Sequence, residues 1–122
     1  MSKLKQNQQK ILNRRARYDY EIHSQIETGI ILKGNEVKSI RLGKVVLDNA
    51  YAVLKKGEIW MMNLFIDLKN YNKKFSSLDN LRPKKLLLSK QEISKISQNL
   101  KTNNFTMIPL NMHFNKKGFV KI

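Results

Sequence analysis

Acid–base chemistry in this chain would have to come mainly from two histidines, His23 and His113, and nine carboxylates, since cysteine is absent. A histidine pair can cleave an RNA phosphodiester, one ring taking a proton and the other giving one while a lysine stabilises the charged transition state. His23 and His113 lie about ninety residues apart, however, with no motif around either, and the carboxylates fall in none of the Walker, HExxH or GxSxG spacings. Asp19 and Glu21 stand two apart, a spacing too common on a strand to specify a divalent ion. Lack of cysteine removes disulfides and thiolate metal sites together. The sequence reads as a binding protein, with no enzyme activity, cofactor or metal assigned to it, and His113 reads as a surface residue of an edge strand.

The recognition chemistry is richer. Asn13-Arg14-Arg15-Ala16-Arg17-Tyr18-Asp19-Tyr20 puts three arginines beside two tyrosines and an asparagine. The guanidinium groups of Arg14, Arg15 and Arg17 can grip phosphate with paired N–H donors, the ring of Tyr18 offers a stacking face to an unpaired base, and the Asn13 amide can pair with a base edge. Tyr20 is the tyrosine expected to pack inward. A second cationic stripe, Lys38, Arg41 and Lys44, recurs every three residues. Alone, it would be as well explained by a solvated helix face.

It does not stand alone. Lys and Arg number 24 against nine Asp and Glu, a formal charge of +15 on 122 residues. Self-repulsion at that density disfavours a compact chain unless a polyanion relieves it, which points to nucleic acid as the partner. An anionic membrane surface fits less well. The basic residues are spread along the chain instead of riding on one amphipathic helix, and no apolar run approaches the roughly 20 residues of a membrane span. With no apolar signal segment at the start, a cytoplasmic protein is expected.

These side chains need a scaffold. Residues 1–12, rich in Lys and Gln, read as a flexible basic arm, and residues 13–122 as one RNA-binding domain. Residues 20–32 alternate with period two, as a half-buried strand does, ending in the apolar run Ile30-Ile31-Leu32. A helix over 35–42 follows, with Asn35 as its cap, Glu36 at the positive end of the dipole, Val37 and Ile40 turned inward and Gly43 as the left-handed residue past its end. Residues 50–54 and 58–66 form a hairpin about Lys55-Lys56-Gly57, with Trp60 expected in the core. From 67 to 85 the pattern breaks into a basic loop, where Tyr71 and Phe75 among lysines can stack on bases. Lys84-Lys85-Leu86-Leu87-Leu88 then joins cation to apolar surface. Ser89 and Glu92 make a capping box for a helix running to about Lys101 with Ile93, Ile96 and Leu100 on its inner face. Residues 105–114 alternate again, with Pro109 marking an edge or bulge, and Asn115-Lys116-Lys117-Gly118 turns the chain into a last strand. Many short strands, tight turns and few helices predict a mostly β fold, an OB-type antiparallel barrel with flanking α-helices.

Several motifs coincide with one family. Residues 13–20, Glu27-Thr28-Gly29-Ile30, Gly34-Asn35-Glu36-Val37-Lys38-Ser39-Ile40-Arg41, the segment 79–82 and Lys85-Leu86-Leu87-Leu88 together resemble the SsrA-binding (SmpB) family, from about Leu12 to Ile122. The resemblance implies an OB-type barrel, a noncatalytic role, and binding to the tRNA-like domain of tmRNA (SsrA RNA). It further implies delivery of that RNA, with elongation factor Tu and alanyl-tmRNA, to a stalled 70S ribosome for trans-translation, the protein acting as a monomer. In the family, the positions matching Asn13, Glu27 and Leu87 are associated with tmRNA binding. A carboxylate such as Glu27 can accept from base amino groups or a 2′-hydroxyl, and Leu87 can pack on an unstacked base. Tyr18 stands where the family usually has histidine, keeping the stacking face and losing the cationic option. Asn80 replaces the family's usual proline, and Pro83 and Lys84 interrupt its usual arginines.

Family members continue past the last strand with a Lys-rich tail that this sequence does not contain, and accommodation and peptidyl transfer are expected to suffer accordingly. The resulting expectation is an RNA-binding surface of Asn13, Arg14, Arg15, Arg17, Tyr18, Glu27, Lys38, Arg41, Lys44, Lys85 and Leu87. Arginine and lysine would meet phosphates; Asn13, Tyr18, Glu27 and Leu87 would lie nearer bases and sugars. The alternative of a different kind is a structural ribosomal protein that folds onto ribosomal RNA.

Overall fold

The computed structural model describes residues 10–68 and 79–122. In chain order, the elements are β1 (Ile11–Leu12), α1 (Ala16–Asp19), β2 (Gly29–Ile30), α2 (Gly34–Arg41), β3 (Val45–Val46), β4 (Tyr51–Lys55), β5 (Glu58–Met62) and β6 (Phe65–Ile66). A 3-10 turn (Asp79–Leu81) then precedes β7 (Lys84–Leu87), α3 (Lys90–Thr102), β8 (Asn111–Phe114) and β9 (Val120–Lys121).

Turn chemistry sets the antiparallel pairing. Lys56 and Gly57, at φ 53 and 76, make a two-residue turn with both central residues left-handed, whose twist matches the strands it joins. β4 and β5 accordingly pair in register from Lys55↔Glu58 to Tyr51↔Met62. Asn115 closes the second hairpin by accepting from the N–H groups of Lys117 and Phe119 at 3.0 and 2.9 Å, setting His113 opposite Lys121.

Seven strands then run in the order β1-β8-β9-β2-β7-β5-β4, with β3 and β6 as a separate pair. The Ala52 N–H donates to the Met107 carbonyl at 2.8 Å, which brings the far edge, β4, to the chain leading into β8. The sheet therefore curls back on itself into an antiparallel half-barrel. This is the OB-like arrangement that the strand pattern predicts.

Its core is filled by residues such as Leu47, Ile59, Leu64, Ile66, Leu86 and Met112, with Ile40 reaching in from α2 and Ile93 and Ile96 packing from α3. Fully burying side chains of this kind contributes roughly 1.5–3 kcal/mol each. α3 starts as its sequence requires. Ser89 Oγ accepts from the Glu92 N–H at 3.1 Å and a Glu92 carboxylate oxygen accepts from the Ser89 N–H at 2.8 Å.

Five expectations are corrected. Ile11 and Leu12, assigned to the arm, pair with Met112 and Asn111 as a strand; the rest of that arm, residues 1–9, lies outside the described residues, as does 69–78 of the expected loop. Of the long strand 20–32, only Gly29–Ile30 enters the sheet. Its ladder partner β7 gives way to the Ser89 cap two residues past Leu87, and on the β9 side the pairing reaches only Thr28, whose N–H and C=O both bond Ile122 at 2.9 Å. Tyr20 is consequently exposed instead of packing inward, and Trp60 is half-buried instead of lying in the core. β8 carrying His113 is not an edge strand, because β1 and β9 flank it.

Candidate nucleic-acid interface

α2 is a two-sided helix. Glu36, Ser39 and Ile40 are buried, whereas Lys38 and Arg41 are exposed. Its C-terminus closes as a Schellman motif: Gly43, at φ +73, gives its N–H to Ile40, and the Lys44 N–H reaches the Ser39 carbonyl, both at 2.9 Å. Only a residue tolerant of positive φ allows that closure. The Arg41 guanidinium sits 4.5 Å from the centroid of the Phe114 ring on β8, a cation–π contact that orients the charge without neutralising it. Lys44 is half-buried.

The buried side of α2 explains its placement. Glu36 Oε1 accepts from the Lys33 N–H at 2.7 Å, so Glu36, and not Asn35, satisfies the first turn. The same carboxylate receives Arg82 and faces Lys84 Nζ at 3.9 Å. Lys84 also donates to the carbonyls of Arg82 at 2.6 Å and Leu64 at 3.3 Å. With the Lys84 side chain 0 % exposed, burial lowers its pKa to about 8, a fall that the Glu36 charge opposes and the Arg82 charge reinforces. This cluster was not anticipated. Its signal lay in phase: Lys84 alternates onto the inward face with Leu86, and Glu36 precedes the inward residues Ser39 and Ile40 by three and four.

The same alternation turns Lys85 and Leu87 outward. Leu87 is 57 % exposed and lies across Gly29, where a β-carbon would stand only 3.0 Å from Leu87 Cδ1. A glycine at that point lets the leucine lie flat against the sheet. Lys85 is paired with Glu58 through a direct ion pair, so part of its charge is already engaged.

In the N-terminal motif the structure divides the expected residues. Arg14, Arg15 and Arg17 are exposed around the short helix α1, and Tyr18 is 91 % exposed, a bare aromatic face. Arg15 is 3.7 Å from Asp19 in an ion pair open to water, a contact of small energetic weight. Asn13 differs. It is only 7 % exposed; its amide donates to the Pro109 and Leu47 carbonyls at 2.9 and 3.4 Å, and its backbone N–H donates to Leu110 at 2.9 Å. In that geometry the amide's donors tie α1 to the chain ahead of β8, while Oδ1 has no hydrogen-bond partner among the described residues.

Glu27 is exposed, with Oε1 3.1 Å from His113 Nε2. Glu27 and His113 line a cavity of about 900 Å³ between residues 19–28, α3 and residues 104–111. On its wall His23 stacks on Phe105, with ring centroids 4.7 Å apart and planes within 7°. The strand β8 carries both contacts, Phe114 against Arg41 on one face and, one residue earlier on the other face, His113 against Glu27 with Asn111 beside the ring. Among the described residues, no three His, Asp or Glu side chains gather as a metal site, and no helix is long and apolar enough to cross a membrane.

The family model described as SmpB protein matches residues 10–122. The chain belongs to the SmpB family. An SsrA-binding protein of Chlorobaculum tepidum is 44% identical over 115 residues, covering 92% of this chain and 71% of the relative. An SsrA-binding protein of Syntrophomonas wolfei is 46% identical over 110 residues, covering 90% and 69% respectively. A chain from the solved structure described as "tmRNA-SmpB: a journey to the center of the bacterial ribosome" superposes with a TM-score of 0.72 at 40% identity, covering 94% of this chain and 78% of that one. The SmpB match thus spans every element described above, from β1 to β9.

Proposed function

We propose that this chain is an RNA-binding factor that binds the tRNA-like domain of tmRNA and accompanies it to stalled ribosomes in trans-translation. The observation that carries this reading is 44% identity to an SsrA-binding protein over 115 residues. The geometry supports it: Arg14, Arg15, Arg17, Lys38 and Arg41 are exposed to meet phosphates, and Tyr18 and Leu87 are exposed to stack on or pack against unpaired bases. Lys44 and Lys85 add charge from half-buried positions, and Glu27 supplies an acceptor. Asn13 acts through position, fixing the arginine-bearing turn on the β8 side of the half-barrel.

The role proposed is RNA binding, as the SsrA-binding description of the relatives supports; His113 lies 3.1 Å from both Glu27 and Asn111, and His23 is stacked on Phe105. The chain from β1 to β9 acts as one RNA-binding domain, as a monomer in a complex that includes alanyl-tmRNA and elongation factor Tu, in the cytoplasm. Ribosome pelleting tests the reading. The chain should co-sediment with stalled ribosomes only when tmRNA is present and should leave them in a high-salt wash. Retention without tmRNA after that wash would mark a resident ribosomal protein instead.

A further inference from the structure

A carboxylate at an RNA surface needs an explanation, because it repels the phosphates that the surrounding arginines and lysines attract. Glu27 has its explanation next to it. Oε1 lies 3.1 Å from His113 Nε2, and on the far side of the same ring Nδ1 lies 3.1 Å from Asn111 Oδ1. Nε2 can thus donate to the Glu27 carboxylate while Asn111 lies against the other ring nitrogen, so the ring is held on both sides. The His113 side chain is 19% exposed and is held on β8 between two strands, opposite Lys121 on β9, whereas the Glu27 side chain is 61% exposed at the end of a segment without ladder partners. The rigid member of the pair is the histidine.

We infer that His113, braced by Asn111, is a positioning residue for Glu27: it fixes one carboxylate oxygen, leaving the second oxygen to accept from an RNA donor, a base amino group or a 2′-hydroxyl. This rests on the reading of Glu27 as an RNA-recognition residue. With one oxygen held by the ring, the carboxylate still offers through the other an acceptor that every phosphate-binding residue lacks.

The test measures binding of a labelled tmRNA tRNA-like domain, and of an unrelated hairpin RNA, to the full chain and to Glu27→Ala, His113→Phe, His113→Gln and the Glu27→Ala/His113→Phe double variant, each first checked for an unchanged melting transition. His113→Phe should weaken the tRNA-like domain by about fivefold and leave the hairpin unchanged. His113→Gln, which keeps an N–H donor near the position of Nε2, should restore most of that loss. The double variant should bind no worse than Glu27→Ala alone. If Glu27→Ala costs selectivity while His113→Phe does not, or if Gln and Phe behave alike, the positioning role is wrong. If Glu27→Ala itself loses both RNAs equally or neither, the reading of Glu27 fails first, and the inference with it. Should His113→Phe not fold, the Gln variant and the Asn111→Ala variant carry the comparison: Gln is expected near the parent, and Asn111→Ala is expected to show a selective loss smaller than that of Glu27→Ala. A parental Asn111→Ala would remove the brace from the inference.

Discussion

The carboxylate of Glu36, 1 % exposed, takes two donors from Arg82, Nε–H at 3.1 Å and Nη2–H at 2.6 Å, and so joins α2 to the chain entering β7. That pair holds in place the helix bearing Lys38 and Arg41 and the strand bearing Lys85 and Leu87. Charge on the inside fixes where charge on the outside points.

Removing the inner partner should therefore be costly. Glu36→Ala strands Arg82 and the buried Lys84 without their counter-charge, and a broken buried pair of this kind costs about 3–5 kcal/mol. Urea unfolding should show that loss, while Lys38→Ala on the opposite face of the same helix should stay within about 0.5 kcal/mol of the parent. Equal small effects would mean that the cluster is open to water.

Lys84 makes stability depend on pH in a defined direction. Its pKa is about 8 in the fold against 10.5 in the unfolded chain. Between those values the unfolded state binds more protons, so this group's contribution makes the fold more stable as pH rises from about 8 toward 10.5, by at most about 1.4 kcal/mol per pH unit. Below pH 8 both states are protonated and the contribution is flat. Unfolding of the parent and of Lys84→Met, compared at pH 7 and pH 9.5, should show the parent gaining on the variant at the higher pH. A gap independent of pH would contradict the burial of a titrating amine.

Much of this fold is legible in the sequence. The Ser89/Glu92 capping box, the Lys56-Gly57 and Asn115–Gly118 turns and the Gly43 helix end are local chemistry, and each appears as its residues dictate. What was not legible depended on distant partners. Residues 20–28 alternate like a strand, but a strand needs ladder neighbours, and β7 turns into α3 before reaching them. Asn13 reads as a base-pairing amide, and its bonds to the carbonyls of Pro109 and Leu47, more than thirty residues away in sequence, have no local signal. Exposure of Tyr18, Leu87, Lys38 and Arg41 agrees with the sequence reading because it follows from short-range period, whereas the roles of Glu36, Lys84 and His113 come from contacts between elements.

Asn13→Ala should act on the fold before it acts on RNA. It removes buried hydrogen bonds to two carbonyls and should cost about 1–3 kcal/mol in unfolding experiments. RNA affinity measured well below the melting transition should fall less than it does for Tyr18→Ala, which removes a stacking face worth about 1–3 kcal/mol per base and leaves the fold intact. Tyr18→Phe should bind like the parent. A larger binding loss for Asn13→Ala, with unchanged stability, would put that amide back on the RNA.

The exposed cations and the exposed carboxylate should separate by salt. Lys38→Ala and Arg41→Ala should each weaken binding to all RNAs and flatten the slope of log affinity against log salt by about one. Glu27→Ala should leave the slope alone and lose preference for the tRNA-like domain. Identical salt slopes for the parent and both cation variants would take α2 off the phosphate-binding surface.

The most direct measurement is a competition gel shift at a fixed salt concentration of about 150 mM, with the labelled tRNA-like domain of tmRNA challenged by excess bulk tRNA. Salt must be held constant because a protein making roughly six phosphate contacts loses on the order of a thousandfold in affinity between 50 and 200 mM. A selective tmRNA-binding factor keeps its complex through a large excess of tRNA. Displacement at equal mass would mean that the chain binds through its +15 charge alone, and would contradict the proposed function.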